Sequence, residues 1–337
     1  ISPDLTLNDK SHQQNSGGVA IDNLMTFDGA TLFAIEESPL AAGHIWAGTN
    51  DGQVQLTKDA GKNWTNLTTN IPDLPAWGTV SSIEPSRYQA ATAYITVDLH
   101  QMGSFDPFIY KTTDFGESWT KISTSLPHSE SSFVHVIKED PKREGMLYAG
   151  IDKGIYISYN DGDTWNRLRN NLPPAPVYWL EIQERFDDLV VGTYGRGFYI
   201  LDDVSAIRGG DKLSNEAKLF KPRDAYRFNN KESIKTDGGS NNSGQNPQYG
   251  AMLNYYLPDG VEDVSIEIYT PEGVLVRTIK PRNTRKGVGR TAWNLRYEST
   301  FRPQLQVQPP GRPWVQLNGE GWRPLVTWDL DLNAGQQ

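Results

Sequence analysis

The chain has 337 residues and a formal net charge of −9 at pH 7. An acidic balance argues against a general nucleic-acid binder, which presents a basic surface, and it does not favour docking on anionic lipid. The absence of cysteine excludes disulfides, a thiolate nucleophile and cysteine metal ligands. No run of apolar residues approaches the roughly 18 that a membrane-spanning helix needs. The 31 glycines and 21 prolines favour many short strands joined by tight turns.

Residues 1–30 open the chain without a regular strand pattern. Residues 1–6 are similar to the segment that follows each turn tryptophan further along, for example residues 67–72. The first residue is Ile, and no signal peptide precedes it. We therefore expect residues 1–30 to be the end of a truncated repeat followed by a linker, and the chain to be a fragment or a processed product.

Four units of short, alternating apolar runs follow in residues 31–208. The turn residues Trp64, Trp119 and Trp165 stand 55 and 46 positions apart. Four short strands per unit at this period predict the blades of a β-propeller. The predicted strands are 32–36, 44–48, 53–57 and 64–68; 80–84, 93–97, 108–112 and 119–123; 133–138, 146–150, 154–158 and 165–168; and 178–182, 189–192 and 197–201.

Three of the units share the motif Ser/Thr-x-Asp/Asn-x-Gly-x-x-Trp, in residues 57–64, 112–119 and 158–165. Asp or Asn two positions before Gly is typical of a hairpin turn, in which Gly takes a positive φ and the polar side chain accepts nearby backbone N–H groups. The tryptophan is expected to bury its ring against the next sheet. The predicted structural residues are Asp59, Gly61, Trp64, Asp114, Gly116, Trp119, Asp161, Gly162 and Trp165.

The acidic turn residues have two interpretations. They could supply carboxylates for glycoside hydrolysis, or a calcium loop around Asp161 and Asp163. Alternatively they only build the turns. In a propeller these hairpins lie on the outer rim, away from the usual ligand pocket, which favours the architectural interpretation. We therefore predict no metal and no cofactor.

The opposite end of the blades carries the candidate functional residues. Glycoside hydrolysis needs two carboxyls about 5–9 Å apart, and Asp51, Asp98 and Asp152 follow the second strands of successive units. Asp98 and His100 stand two apart at a strand end, where both side chains point the same way and could hold a metal or act as a general base; a solvated loop is the alternative. The remaining binding candidates of the blades are Trp77, His100, Tyr194 and Arg196. Tyr194 and Arg196 flank a glycine, which fits either a clamp for a carboxylate or sugar or a tight turn.

The composition changes after the four units. Residues 209–250 are predicted to be a linker, and residues 251–300 a β-sandwich domain with strands 251–257, 264–269, 274–280 and 290–296. Residues 301–337 form a tail rich in Pro and Trp. Its residues Trp314, Trp322 and Trp328 either pack against the rest of the chain or form an interaction surface, since exposed Trp is costly unless a partner covers it.

The turn motif resembles the Asp-box of the bacterial neuraminidase repeat (BNR repeat). Residues 45–52, 77–85, 109–114, 194–203 and 321–328 resemble the sortilin-like, Asp-box β-propeller family, whose bacterial members are often labelled glycosyl hydrolase. The resemblance covers nearly the whole chain. It implies an all-β fold, with four-stranded propeller blades followed by an immunoglobulin-like sandwich. Family members are longer at both ends, so it also implies a fragment or a reduced relative with open β edges that favour pairing with another chain.

These observations predict a non-catalytic, extracytoplasmic binding or scaffold module, either periplasmic or secreted. Its partners would be other protein subunits in a larger assembly, such as a membrane complex, and not nucleic acid. One alternative is a glycoside hydrolase, or its accessory carbohydrate-binding module, with Asp51, Asp98 and Asp152 as the candidate carboxylates. Another is a sortilin-like peptide receptor. The arginine triad and nucleophilic tyrosine of true sialidases are not found together here.

Overall fold

The computed structural model describes residues 2–9, 31–169, 171–213, 215–226, 249–261 and 263–298, and the backbone of 304–305 and 323–324. The fold is all-β, with short 3₁₀ helices at Thr68–Asn70, His100–Met102 and Val204–Lys212. Within these ranges no helix is both long and apolar enough to cross a membrane. The chain divides into two compact units, residues 1–204 and residues 205–337.

The first unit is a series of antiparallel sheets that we call blades 1 to 4. In the described residues, blades 1 to 3 have four strands each and blade 4 has three, in sequential order. The strands of blades 1 and 2 are β1 (Leu32–Glu37), β2 (Ile45–Thr49), β3 (Val54–Thr57), β4 (Thr65–Asn66), β5 (Thr79–Pro85), β6 (Ala93–Asp98), β7 (Phe108–Thr112) and β8 (Thr120–Lys121). Those of blades 3 and 4 are β9 (Val134–Glu139), β10 (Leu147–Ile151), β11 (Gly154–Ser158), β12 (Asn166–Leu168), β13 (Val177–Gln183), β14 (Asp188–Thr193) and β15 (Gly197–Leu201).

The first strands of the blades lie side by side. Strand β5 lies next to β1, β9 next to β5, and β13 next to β9. In blades 1 to 3 the second strands are buried along almost their whole length, whereas the fourth strands are short and mostly exposed. Blades with the first strand innermost and the fourth at the rim are the arrangement of a β-propeller.

Each innermost strand carries a β-bulge at the same place. The pairing register with the second strand shifts around one extra residue, which is Phe33 in β1, Ser81 in β5, His135 in β9 and Tyr178 in β13. A bulge re-aims the side chain of the extra residue and strengthens the local twist. The four extra residues therefore mark one end of the channel that the innermost strands line.

Side-chain acceptors build the turn that joins the third and fourth strands. In blade 1, the Thr57 Oγ1 atom accepts from the Gly61 N–H at 2.9 Å, and the Asp59 carboxylate accepts from the Asn63 N–H at 2.8 Å. Gly61 has a φ of +87°, a conformation that costs glycine little. Blades 2 and 3 repeat these bonds with Thr112, Asp114, Gly116 and Ser118 and with Ser158, Asn160, Gly162 and Thr164.

The turn tryptophans Trp119 and Trp165 join their blades to the preceding one, not to the next sheet as predicted. The Trp119 ring of blade 2 is buried in the apolar core that blades 1 and 2 share, edge-on to Trp46. Trp165 of blade 3 donates its indole N–H to the Ile122 carbonyl, in the segment that leaves blade 2, at 2.8 Å. The reason is that the segment leaving one blade runs under the turn of the following blade, where it covers the indole.

The second unit contains a three-stranded sheet and two pairs of strands in the described residues. Strands β16 (Lys218–Leu219), β17 (Ala251–Leu257) and β20 (Gly287–Trp293) form one sheet, and β18 (Ile266–Tyr269) and β19 (Leu275–Ile279) form a hairpin. Ile266 shares an apolar core with Leu253, Tyr255 and Leu257. Short strands β21 (Gln304–Leu305) and β22 (Arg323–Pro324) pair with each other. Strand β16 lies within residues 209–250, so part of the predicted linker belongs to the sheet that β17 and β20 form. Residues 227–248 of that linker lie outside the described ranges.

Candidate functional site

The bulges define equivalent positions in the four blades. Directly after the bulge, the innermost strand pairs with Gly48, Thr96, Gly150 or Gly192 of the second strand. Two residues further along the second strand come Asn50, Asp98, Asp152 and Tyr194, at the same end of the channel as the bulge residues. The predicted grouping of Asp51 with Asp98 and Asp152 is therefore corrected: Asn50 occupies that position in blade 1.

Asp51 is instead part of the packing of blade 1. Its side chain is buried and accepts a hydrogen bond from the Thr49 hydroxyl. Its second oxygen accepts the backbone N–H groups of Leu7 and Asn8, at 2.9 and 3.2 Å. These bonds hold residues 2–9 against the blade. Both carboxylate oxygens are thus occupied, which leaves Asp51 poorly suited to act on a ligand.

His135 lies between the two remaining candidate carboxylates. Its Nδ1 atom is 3.7 Å from Asp98 Oδ2 and its Nε2 atom is 3.8 Å from Asp152 Oδ1. Both distances allow charge interaction but exceed that of a hydrogen bond. The side chain is buried, and its Nε2 atom has no hydrogen-bond partner among the described residues. Burial lowers the pKa of His135, although Asp98 and Asp152 act in the opposite direction.

Aromatic rings continue from His135 toward the solvent. Tyr178 stacks on the imidazole with ring centroids 3.9 Å apart, and Tyr194 lies 5.7 Å from Tyr178. Both tyrosines are exposed. On the other side, Phe133 packs edge-on against His135 and stacks on His100. We call the set Asp98, His100, Phe133, His135, Asp152, Tyr178 and Tyr194 the channel mouth.

The electrostatics of the channel mouth are negative. His100 donates its backbone N–H to Asp98 Oδ1 at 2.9 Å, and its Nδ1 atom lies 2.7 Å from the same oxygen. Burial raises the pKa of Tyr178, and the charges of Asp98 and Asp152 raise it further. The field of both carboxylates therefore reaches the exposed ring of Tyr178.

The metal site predicted at Asp98 and His100 lacks a complete set of ligands in the described residues. Across the described ranges, no group of three or more His, Asp or Glu side chains has a geometry that could hold a metal ion. The Asp98 oxygen nearest His100 is already bound by that residue. The pair is better described as a hydrogen-bonded strand end that positions the His100 ring on Phe133.

Two other predicted binding residues, Trp77 and Arg196, lie in segments between strands. Trp77 is half-buried between blades 1 and 2 and has a positive φ of 64°. Arg196 is exposed in the turn between β14 and β15, two residues after Tyr194. Trp314, Trp322 and Trp328 lie outside the described residues.

The outward face of blade 4 is a second candidate surface, which we call the open face. It presents Trp179 and Phe198, which align with Gly192 across the three strands of the blade, and Ile200, two residues after Phe198 on the same strand. Phe198 is 82 % exposed and Ile200 is 61 % exposed. At the position of Phe198, the preceding blades have Val54, Ile109 and Ile155, all of which are buried.

Glycines explain how closely one blade approaches the next. A Cβ on Gly48 would lie 2.4 Å from Val80 Cγ1, and one on Gly150 would lie 2.7 Å from Val177 Cγ1. Both valines belong to the innermost strand of the following blade. Gly192 occupies the same position in blade 4, and the three nearest atoms to its Cβ position belong to Trp179 and Phe198 of its own blade. The open face thus has the shape that receives a further innermost strand.

A row of charged side chains crosses the innermost strands. Lys138 Nζ lies 2.9 Å from Glu84 Oε2 and 3.8 Å from Glu181 Oε2. Burial raises the pKa of Glu84 to about 7, although Lys138 acts against this shift. Burial disfavours the Lys138 charge, but Glu84, Glu181 and Glu36 together outweigh it and raise the pKa of the ammonium. One ammonium therefore faces several carboxylates, and burial lets Glu84 keep its proton to a higher pH than an ordinary glutamate.

One protein-family model matches part of the chain. Residues 52–194, less than half of the chain, match the family model described as sortilin, neurotensin receptor 3. This match confirms the resemblance to sortilin-like, BNR-type propellers. No curated protein sequence matches the chain.

Three solved structures are similar to this chain at low sequence identity. The YCF48 protein bound to a D1 peptide has 17 % identity and a TM-score of 0.37, over 74 % of this chain and 69 % of that one. A GH74 xyloglucanase from Xanthomonas campestris has 13 % identity and a TM-score of 0.42, over 75 % of this chain but only 36 % of the enzyme. The Malassezia sympodialis allergen Mala s 1 has 10 % identity and a TM-score of 0.35, over 48 % of this chain and 57 % of the allergen.

Proposed function

Because the chain carries a sortilin-like β-propeller, we propose that it is a non-catalytic scaffold module that binds another protein subunit through the open face of blade 4. The occupant we infer is a β-sheet of that subunit, lying on Trp179, Phe198 and Ile200 as one blade lies on the next. The observation that carries the proposal is the exposure of Phe198, at a position that is buried in blades 1, 2 and 3.

The energetics of burial support this occupant. Fully burying a Phe or Ile side chain contributes roughly 1.5–3 kcal/mol, so Phe198 and Ile200 together favour a covered state. A sheet is the fitting partner because Gly192 leaves room for a close backbone approach, as Gly48 does for β5. The inferred strand has Val at the contact with Gly192, since Val80 and Val177 fill the equivalent sites.

The first blade offers a second, complementary surface. Leu32 and Ile35 of β1 are exposed, whereas their equivalents in the later blades are buried. These equivalents are Val80 and Ile83, Val134 and Ile137, and Val177 and Leu180. A scaffold that contacts subunits on both sides is consistent with this pattern. We further propose that the module works outside the cytoplasm, as expected for a sortilin-like domain, and that the second unit is an immunoglobulin-like sandwich.

The test is native mass spectrometry after gentle purification from the natural source, with a photo-crosslinking residue in place of Phe198. We expect a complex of fixed stoichiometry with a different polypeptide, and a crosslink to one of its strands. The F198S/I200S double variant should recover at least about tenfold less partner. Leu40→Ser is the matched control, because Leu40 is also exposed but lies in the loop between β1 and β2. A lone monomer, a complex of two identical chains, or a crosslink within the same polypeptide would each refute the proposal.

Glycoside hydrolysis is the second candidate, because Asp98 and Asp152 face each other across the channel mouth. A retaining or inverting hydrolase uses two carboxyls with the scissile bond between them. Here the buried imidazole of His135 fills the space between the carboxylates, which favours binding over hydrolysis. Turnover of a glycan panel by the purified protein, lost in Asp98→Asn and in Asp152→Asn, would establish the enzyme instead.

A further inference from the structure

We propose that the channel mouth binds an organic cation of the guanidinium or alkylammonium class, held by the carboxylates of Asp98 and Asp152 and by the ring faces of Tyr178 and Tyr194. This site is separate from the open face of blade 4 and does not depend on its partner. The class of ligand follows from the charge, the hydrogen-bonding groups and the exposed rings of the channel mouth.

The carboxylates of the channel mouth lack a permanent positive partner. Within the described ranges, no lysine or arginine lies in ion-pair distance of Asp98 or Asp152. His135 faces both carboxylates, but burial favours its neutral form. His100 binds one oxygen of Asp98 and is itself partly exposed. A bound cation would supply the missing positive charge where the carboxylates are shielded from solvent.

A neutral His135 cannot donate a hydrogen bond toward both Asp98 and Asp152. A neutral imidazole has one N–H donor and one lone pair, yet a carboxylate stands opposite each of its two nitrogens. In either tautomer, one carboxylate therefore faces a lone pair. The buried Nε2 atom, which has no partner among the described residues, points at Asp152. Asp152 is the more exposed of the two carboxylates, so it is the one that can accept N–H donors from a ligand.

The tyrosines give the site its preference for organic cations over metal ions. Guanidinium and ammonium groups bind the faces of aromatic rings, especially where water is partly excluded. One face of Tyr178 is covered by His135, and Tyr194 lies beyond it at 5.7 Å, largely exposed. A planar guanidinium can donate to Asp152 in a bidentate manner while it stacks on a tyrosine. A neutral sugar could pack on the rings but would leave the negative charge of both carboxylates unbalanced.

The experiment is calorimetric titration of the full chain with a blocked Gly-Arg-Gly tripeptide and with agmatine. The control ligand is the same tripeptide with citrulline, which keeps the shape of arginine without its charge. We expect binding of the arginine peptide, at least about tenfold weaker binding of the citrulline peptide, and weakening of the former as salt is raised. Equal affinity for agmatine would show that the site recognises only the cation, whereas tighter peptide binding would indicate a peptide ligand.

Variants locate the site. Asp152→Asn and Tyr178→Leu should each weaken binding of the arginine peptide by about tenfold or more. Asp106→Asn is the matched control, because Asp106 is an exposed acid that pairs with His128 in a neighbouring loop; its affinity should not change. If a variant fails to fold, the comparison of arginine and citrulline on the unmodified chain still decides. Equal affinity for the two peptides, no binding at about 10 mM ligand, or unchanged affinity in a folded Asp152→Asn protein would overturn the proposal.

Discussion

The Trp119 ring of blade 2 meets the Trp46 ring of blade 1 edge-to-face, with ring centroids 6.1 Å apart and planes at 82°. Both side chains are buried, and the pair joins two blades that are otherwise separate sheets. We expect Trp119→Ala to lower the free energy of unfolding by about 3–5 kcal/mol, because it leaves a large cavity in the core that blades 1 and 2 share. Urea denaturation followed by circular dichroism measures this change.

Trp64 provides the matched comparison for Trp119. It holds the same position in the turn of blade 1, but its ring is only half-buried in the described structure. Trp64→Ala should therefore cost clearly less than Trp119→Ala, about half or below. Equal losses in the two variants would mean that the indoles stabilise the turns themselves and not the junction between blades.

The carboxylate of Asp114 should matter as a hydrogen-bond acceptor more than as a charge. It accepts from the Ser118 hydroxyl and N–H, which lower the pKa of Asp114. Asn160 fills the same position in blade 3 and accepts from the Thr164 N–H in the same way. Asp114→Ala should lower the free energy of unfolding by about 1 kcal/mol, and Asp114→Asn by less.

The contribution of the Asp114 carboxylate to stability can be measured by lowering the pH. A carboxyl with a lowered pKa adds stability that is present above its ordinary pKa and is lost as the pH falls through the folded value. The difference in stability between the unmodified protein and Asp114→Asn should therefore shrink on acidification below about pH 4. A difference that stays constant over this range would contradict the assignment.

Alanine substitutions at two glycines with nearly the same φ can separate the cost of backbone strain from the cost of steric crowding. Gly116 has a φ of +84°, and a Cβ there would lie 2.4 Å from Leu67 Cδ1. Gly103 has a φ of +80° with no atom within 4 Å of the Cβ position. Gly103→Ala should cost about 1 kcal/mol, for the left-handed conformation alone. Gly116→Ala should cost about 1–3 kcal/mol more, because Leu67 must move; thermal or urea unfolding of both variants tests this.

Glu84 should make the protein less stable as the pH rises toward 8. Burial raises its pKa to about 7 from an ordinary 4.5. The folded state therefore keeps a proton that the unfolded state loses above pH 4.5. This contribution is fully present below that value and is lost as the pH rises through 7, by roughly 3 kcal/mol in total. Urea unfolding at about pH 5 and about pH 8 should show the fall.

Variants separate Glu84 from other titrating groups. Glu84→Gln should flatten the decline of stability with pH, because the amide does not titrate. Glu181→Gln, which removes the more exposed carboxylate beside Lys138, should leave the decline in place. The comparison between variants is necessary because Glu139 also has a raised pKa, whereas His135 has a lowered one that acts in the opposite direction. An unchanged slope in Glu84→Gln would refute the assignment.

The strands of the propeller could be predicted from the sequence because their central runs are apolar and end in turn residues. Strands β7, β11 and β15 have the predicted bounds, and other blade strands differ by a residue or a few at their ends. The fourth strands are shorter than predicted, since only a few residues beyond each turn pair with the third strand. The contact of the tryptophans with the preceding blade could not be predicted, because no local pattern records which neighbour covers a ring.

The channel mouth was only partly predictable. Asp98, His100, Asp152 and Tyr194 follow strand ends and could be singled out, but His135 lies inside a strand and was missed. A signal exists: Val80 and Ile83, like Val134 and Ile137, are apolar residues three apart that face the same neighbour. In a regular strand they would point to opposite faces. This spacing recurs in all four innermost strands and indicates the bulge. Counting from the bulge also aligns the second strands: Asn50 and Asp98 each stand two residues after the partner of the first residue beyond the bulge, whereas Asp51 stands three residues after it.

The bulge separates two kinds of position within one short strand. The residues on either side of it pack in the apolar core between neighbouring blades, whereas the extra residue is re-aimed toward the channel end. In the four blades this residue is Phe, Ser, His and Tyr, which differ in size, polarity and charge. Each repeat can therefore alter one side chain at the channel end while its sheet stays intact. A family built in this way can acquire new ligand preferences by single substitutions that leave folding almost unaffected.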